Sequence, residues 1–184
     1  MPIRFNLCKY NSPGSVFIET GLWRCEGVEK AIRAGFKKII SIEIDKKIFR
    51  AGQKRLAKHI ESGRVSLLLG NSEALMGSAL SLVPDSKIVF WLDGHYQGVG
   101  QYEANPLYSE LESIGRHRRK DHTILIDDRR LFRSSTWNVD ESLVKRIISQ
   151  VNPQYRFCCL RGHISNDVLC AYVPSVKEDR SDAQ

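Results

Sequence analysis

The 184-residue sequence predicts an α/β, Rossmann-like domain, a seven-stranded, mostly parallel sheet with helices on both faces and a C-terminal antiparallel hairpin. Short apolar runs recur at 16–18, 39–42, 65–69, 88–92 and 123–126. Each is too short for a helix and apolar on both faces, as central parallel strands are. The segments between them carry apolar residues at helical spacing, such as Val28, Ala31 and Ile32. The last two runs, 155–160 and 167–173, are joined by residues 161–166 alone. That link cannot hold a crossover helix, so the final pair must be antiparallel.

Residues 1–14, with Pro2, Asn11, Ser12, Pro13 and Gly14, read as an irregular N-terminal segment. Residues 15–173 form one domain, and 174–184 a polar, disordered tail. The chain is organised around its first βαβ unit. Val16-Phe17-Ile18 ends at Glu19-Thr20-Gly21, a helix follows, and the next strand ends in Glu43 and Asp45. Strand, glycine turn, helix and acid-tipped strand is the order of a nucleotide-binding unit. Glu43 lies 22 residues beyond Gly21, near the spacing of a ribose-binding acid. No G-x-G-x-x-G is present, because Trp23, Arg24 and Cys25 stand between Gly21 and Gly27. The plainer reading of the stretch is an ordinary βαβ unit with a helix-capping glycine.

A second helix is expected over 46–61, closed by Ser62-Gly63. Strand 65–69 ends at Gly70-Asn71-Ser72, where Ser72 can cap a helix running to residue 82. Pro84-Asp85 breaks that helix. Strand 88–92, with Trp91 in the core, ends at Asp93-Gly94-His95. The glycines of 94–105 suit a lid, or any long surface loop. A helix at 106–119 precedes strand 123–126, which ends at Asp127-Asp128. Asn138 with Glu141 has the capping-box spacing for a helix to residue 151.

The formal net charge of +7 favours anionic partners, although the clusters at Arg116, Arg118, Arg119, Lys120 and at Arg129, Arg130, Arg133 read first as solvated faces. Five cysteines, Cys8, Cys25, Cys158, Cys159 and Cys170, show no metal-type spacing and suit free thiols in a reducing compartment. No targeting signal appears and no apolar run nears the ~18 residues of a membrane span, so a cytoplasmic protein without a membrane partner is expected. Nothing in the pattern assigns an oligomeric state.

Five strand–helix alternations and a closing hairpin, with ETG, SIEID, WLDGHY and ILIDDRRLF at the strand ends, resemble the class I S-adenosylmethionine-dependent methyltransferases. More narrowly, the chain resembles small proteins of the FkbM and macrocin O-methyltransferase type over residues 16–173. The resemblance implies that Glu19, Thr20 and Gly21 hold the methionine part of S-adenosylmethionine, Glu43 its ribose, and Asn71 its adenine, with Ser72 and Asp93 also among the cofactor-binding residues. Relatives usually place a glycine where Cys25 stands, so a side chain there would crowd the cofactor.

Open parallel sheets bind ligands outside the carboxyl ends of their strands, where Asp93, Asp127 and Asp128 should converge. Three hard oxygen ligands suit Mg²⁺, and metal-dependent O-methyltransferases of similar fold have acids in this arrangement. The rival readings are turn caps, or an internal salt-bridge cluster with Arg129 and Arg130. His95 could serve as a general base beside Asp93, or be a loop histidine without a role. Tyr96 and Trp23 could cover substrate or adenine. Arg129 and Arg130 favour an acceptor bearing phosphate or carboxylate, unless they are merely solvated. The expected activity is O-methylation of a small, anionic molecule. Alternatives are an accessory protein that kept the fold and lost the cofactor, and a nucleic-acid methyltransferase. The last is suggested by the charge but lacks an Asn-Pro-Pro-Tyr-like motif after strand four.

Overall fold

A computed structural model of the chain describes residues 3–94, 105–132, 134 and 137–174. The apolar runs form β1 (Val16–Thr20), β2 (Ile39–Glu43), β3 (Val65–Leu69), β4 (Ile88–Leu92), β5 (Thr123–Ile126), β6 (Arg156–Leu160) and β7 (Val168–Tyr172). They make one sheet in the order β3-β2-β1-β4-β5-β7-β6. The first five strands pair in parallel, and β7 runs antiparallel to both β5 and β6. Every residue of β1, β2, β4 and β5 is buried, which is why these strands read as unbroken apolar runs.

Helices α1 (Glu26–Arg33), α2 (Lys46–Arg55), α3 (Ala57–Glu61), α4 (Ser72–Ser81), α5 (Leu107–Arg116) and α6 (Glu141–Val151) cover the two faces. On one face Ile3, Leu7, Val28, Ala31 and Leu56 pack over Phe17, Val89 and Trp91. On the other, Met76, Leu80, Leu111, Ile114, Val144 and Ile148 pack over Ile18, Phe90 and Ile126. The winding reverses between β1 and β4, so the carboxyl ends of these two strands frame the crevice where such sheets bind ligands.

Several local expectations are corrected. The helix at 46–61 breaks at Leu56, which buries its side chain and leaves helical geometry at φ −101°, ψ 10°. The cap of α4 is Asn71, not Ser72; its Oδ1 accepts from the Glu73 N–H at 3.0 Å. The cap of α6 is Asp140, which accepts from Ser142 and Leu143, while Asn138 sits in a left-handed turn at φ 45°. The N-terminal segment contains one 3-10 turn, Leu7–Tyr10. Residues 175–184 of the expected tail lie outside the described residues. No helix among the described residues is long and apolar enough to cross a membrane.

Candidate functional site

Between β1 and α1 the chain passes through Gly21, Trp23 and Cys25 at φ 87°, 46° and 62°. Left-handed backbone costs an ordinary residue about 1–2 kcal/mol, so glycine is the usual occupant. The turn therefore keeps the conformation of three alternate glycines with only one glycine in it. At Gly21 the requirement is also steric, since a Cβ there would lie 2.5 Å from the Asp93 backbone oxygen. Cys25 escapes the crowding expected of it. Its side chain is buried in the apolar cluster with Leu22, near Gly52, and does not line the crevice.

The crevice is a cavity of about 10 Å³ lined by Glu19, Gly21, Leu22, Trp23, Glu26, Gly27, Trp91 and Asp93. Glu19 is buried and accepts from the Ser41 hydroxyl at 2.7 Å. Helix α1 begins so close that a Cβ on Gly27 would stand 2.0 Å from Glu19 Oε2. Burial pushes the Glu19 carboxyl up to about 8; Ser41 opposes the shift and the charges of Asp93 and Glu43 add to it. Glu43 stitches the tip of β2 to the turn. Its Oε2 accepts from the N–H groups of Leu22 (2.9 Å) and Trp23 (3.3 Å), and its Oε1 from that of Asp45 (2.8 Å).

On the other face of β1, Thr20 lies beneath Gly94 and beside Glu110 of α5. Burial pushes the Glu110 carboxyl up to about 7, and the neighbouring hydroxyls of Ser72 and Thr20 oppose the shift. Glu110 was missed in the sequence, although it is an acid on the apolar stripe Leu107, Leu111, Ile114. Asn71 spends its side chain on Glu73 at the start of α4, through both Oδ1 and Nδ2.

Beyond β4 and β5, burial pushes Asp93 up to about 6 and Asp127 up to about 7, with the charges of Asp93 and Asp128 adding at Asp127. Among the described residues, the acids that each bring one carboxylate oxygen to within 4.8 Å of the others are Asp127, Asp128 and Asp167, not the expected Asp93, Asp127 and Asp128. Asp167 directly precedes β7, so the returning hairpin delivers it, which no strand-end rule for parallel units anticipates. Arg130 Nη1 lies 2.5 Å from both Asp128 Oδ1 and Asp167 Oδ2, while the N–H groups of Arg130 and His163 donate to Asp167. A guanidinium thus fills the space between two of the three acids.

Arg130→Met should leave Asp167 and Asp128 buried without their cation and destabilise the fold by about 3–5 kcal/mol, read by urea unfolding. Magnesium should leave the wild-type melting temperature unchanged. A magnesium-dependent rise in the wild type would overturn the guanidinium-filled reading.

Arg129 pairs with Glu141 instead, Nε to Oε2 at 2.9 Å, and Lys145 reaches Glu141 Oε1 at 2.7 Å. These three residues, with Phe132 and Ser142, line an open cleft of about 410 Å³. His95 and Tyr96 lie outside the described residues. Away from the site, at the amino-terminal end of the sheet, His122 and His117 are buried together. His122 Nδ1 accepts from the Ile88 N–H, and His122 Nε2 meets His117 Nδ1 at 3.0 Å.

No family model and no curated relative matches the chain. Among solved structures it is similar to an SAH-bound methyltransferase from Podospora anserina, at 11% identity and a TM-score of 0.58, covering 87% of this chain and 72% of that one. A methyltransferase from Geobacter sulfurreducens is similar at 16% identity and a TM-score of 0.59, over 92% of this chain and 74% of that one. A spermidine synthase in complex with the transition-state analogue AdoDATO gives 17% identity and a TM-score of 0.61, over 94% of this chain. This chain spans only 60% of that synthase. Identities this low speak to architecture alone. With the sheet order and the closing hairpin, they show that the chain has a Rossmann-like, class I methyltransferase fold.

Proposed function

We propose that the chain is an S-adenosylmethionine-dependent methyltransferase acting on an oxygen of a small, anionic molecule. The observation that carries this reading is the charge of the crevice. Among the described residues, Glu26 and Asp93 line it with their carboxylates and Glu19 with a protonated carboxyl, Glu43 stands behind the turn, and no basic side chain is among the lining residues. The turn N–H groups that would cradle a pyrophosphate are already taken, since those of Leu22 and Trp23 donate to Glu43. Such a site repels a dinucleotide and suits a nucleoside carrying positive charge, and the residues fit S-adenosylmethionine on that ground. When bound, S-adenosylmethionine supplies a methyl group activated by a sulfonium.

The chain's residues then divide the work. Glu43 accepts three N–H bonds, and a carboxylate offers about four acceptor positions, which leaves one for a ribose hydroxyl. Glu26 attracts the cationic end, while Glu19, pushed up to about 8, lies beside it protonated. Asp93, held up to about 6, is mostly ionised at neutral pH yet basic enough to take a hydroxyl proton from an acceptor. Arg129 and Lys145 share a single carboxylate, Glu141, so their cleft carries a net positive charge that suits an anionic acceptor. The acidic cluster does not fit a resident magnesium ion, because Arg130 already bridges it, and no step is assigned to a metal.

One observation favours a second reading, a non-catalytic protein on the same fold. The crevice holds about 10 Å³ where a bound nucleoside needs a few hundred, with Trp23 along its wall. Calorimetric titration with S-adenosylmethionine and its demethylated product separates the two. Binding is expected in the wild type, and Glu43→Ala should weaken it by roughly 10-fold or more, the loss of one charge-assisted bond. Absence of heat in the wild type at millimolar ligand would transfer the assignment to the non-catalytic reading.

A further inference from the structure

We propose that Cys158 and Cys170 are a paired modification site, oxidised by hydrogen peroxide to a disulfide across the closing hairpin. The site lies away from the crevice and does not rest on the methyltransferase reading. Cys158 of β6 stands directly opposite Cys170 of β7 in the antiparallel register. Directly opposed residues on such a pair project to the same face, with Cα atoms about 4.5 or 5.5 Å apart depending on the hydrogen-bonding of the pair. Both separations fall inside the range of about 4.4–6.8 Å that a disulfide spans. The two thiols already meet, and the Tyr10 hydroxyl, brought by the 3-10 turn, lies against Cys170.

The exposures differ in the way a reactive pair requires. β6 is the edge strand and Cys158 is exposed, while Cys170 is fully buried behind it. An oxidant therefore reaches Cys158 first. Burial and the neighbouring thiols push the Cys170 thiol up, so it waits protonated as the resolving partner. The other cysteines are excluded by geometry. Cys159 is opposite Leu169, so its side chain projects to the other face of the hairpin. Cys25 is enclosed with Leu22 near Gly52, and Cys8, exposed on the 3-10 turn, has no place in the register that sets Cys158 opposite Cys170.

The chemistry balances without another reactant. The Cys158 thiolate attacks one peroxide oxygen, the O–O bond breaks, and the departing hydroxide takes up the thiol proton as water, leaving a sulfenic acid. The Cys170 sulfur attacks the sulfenic sulfur. The S–S bond forms, the S–O bond breaks, and the hydroxide leaves with the Cys170 proton as a second water. Two thiols lose two electrons and two protons, and one peroxide becomes two waters. The product staples β7 to the edge strand, and β7 is the neighbour of β5, whose tip carries Asp127 and Asp128.

The test uses the full chain, freed of reductant and treated with a small excess of hydrogen peroxide. Titration of the five thiols under denaturing conditions should fall to three, and dithiothreitol should restore five. A non-reducing tryptic map should show peptide 157–161 linked to peptide 162–177. Cys159→Ser should keep the link, while Cys158→Ser, an exposed substitution that leaves the core intact, should abolish it. A link that survives Cys158→Ser, a bond confined to peptide 157–161, or oxidation of Cys158 to sulfonic acid with no link would each overturn the proposal.

Discussion

Gly21→Ala is expected to destabilise the fold by about 3 kcal/mol and to abolish ligand binding at the crevice. Two costs combine at this residue. The backbone stands at φ 87°, and a Cβ would lie 2.5 Å from the Asp93 backbone oxygen. Neither neighbour can yield easily, because the Asp93 N–H donates to the Thr20 carbonyl at 3.2 Å and the Gly21 N–H to that of Ile42 at 2.9 Å. Moving Asp93 away opens the seam between β1 and β4 at the point where the winding reverses. Gly14→Ala provides the control: its φ is 77°, and nothing lies within 4 Å of the added Cβ. That substitution should cost only about 1 kcal/mol, the left-handed penalty alone. Urea unfolding of both variants separates the two costs, with an unchanged m-value marking an intact denatured reference. If the two losses are equal, the close approach of Gly21 to Asp93 has no energetic weight.

The strands and their direction were legible because burial on both faces leaves an apolar run whose length alone tells strand from helix. The hairpin was legible from the shortness of the 161–166 link. Side-chain destinations were less so. A search for glycines finds only Gly21 in the turn, yet Trp23 and Cys25 hold the same left-handed backbone, and residue identity does not reveal φ when the neighbours enforce it. Glu43 was found by its spacing, but its three N–H donors depend on the path of the turn and could not be read from the chain. Asn71 and Ser72 are both good caps, and only the start of α4 decides between them. The acids at the tips of β4 and β5 were read as one group because parallel-strand ends converge. Asp167 and Arg130 changed its membership, since an antiparallel return brings a residue from the start of a strand to the same end of the sheet.

Stability should be greatest near pH 5 and should fall as the pH rises toward 8, opposite to the usual trend for a protein held by ionised carboxylates. The cause is a set of buried acids with raised values: Glu19 at about 8, Glu110 and Asp127 at about 7, and Asp93 at about 6. Each holds its proton in the folded chain after the unfolded chain has lost it near pH 4. The folded state then binds more protons than the unfolded one, so raising the pH favours unfolding until each folded group ionises. One group pulls the other way. His122 is held down to about 3 by burial and by the charge of His117, so its contribution is present above pH 6.5 and is lost as the pH falls toward 3. Between pH 5 and 6 four acids outweigh one histidine. Below pH 4 the unfolded acids are protonated too, and the histidine decides. Glu19 dominates the alkaline limb: a shift from 4.5 to about 8, at 1.36 kcal/mol per unit, puts its share at roughly 3–5 kcal/mol. Glu19→Gln tests this with little change of shape, because the amide oxygen can still accept from the Ser41 hydroxyl that now bonds Oε1 at 2.7 Å. Urea unfolding from pH 4.5 to 9 should show the variant losing several kcal/mol less than the wild type, with the difference growing through pH 5–8 and level beyond it. Parallel wild-type and variant curves would mean that Glu19 is ionised in the folded protein at neutral pH, and the buried proton would have to be assigned elsewhere.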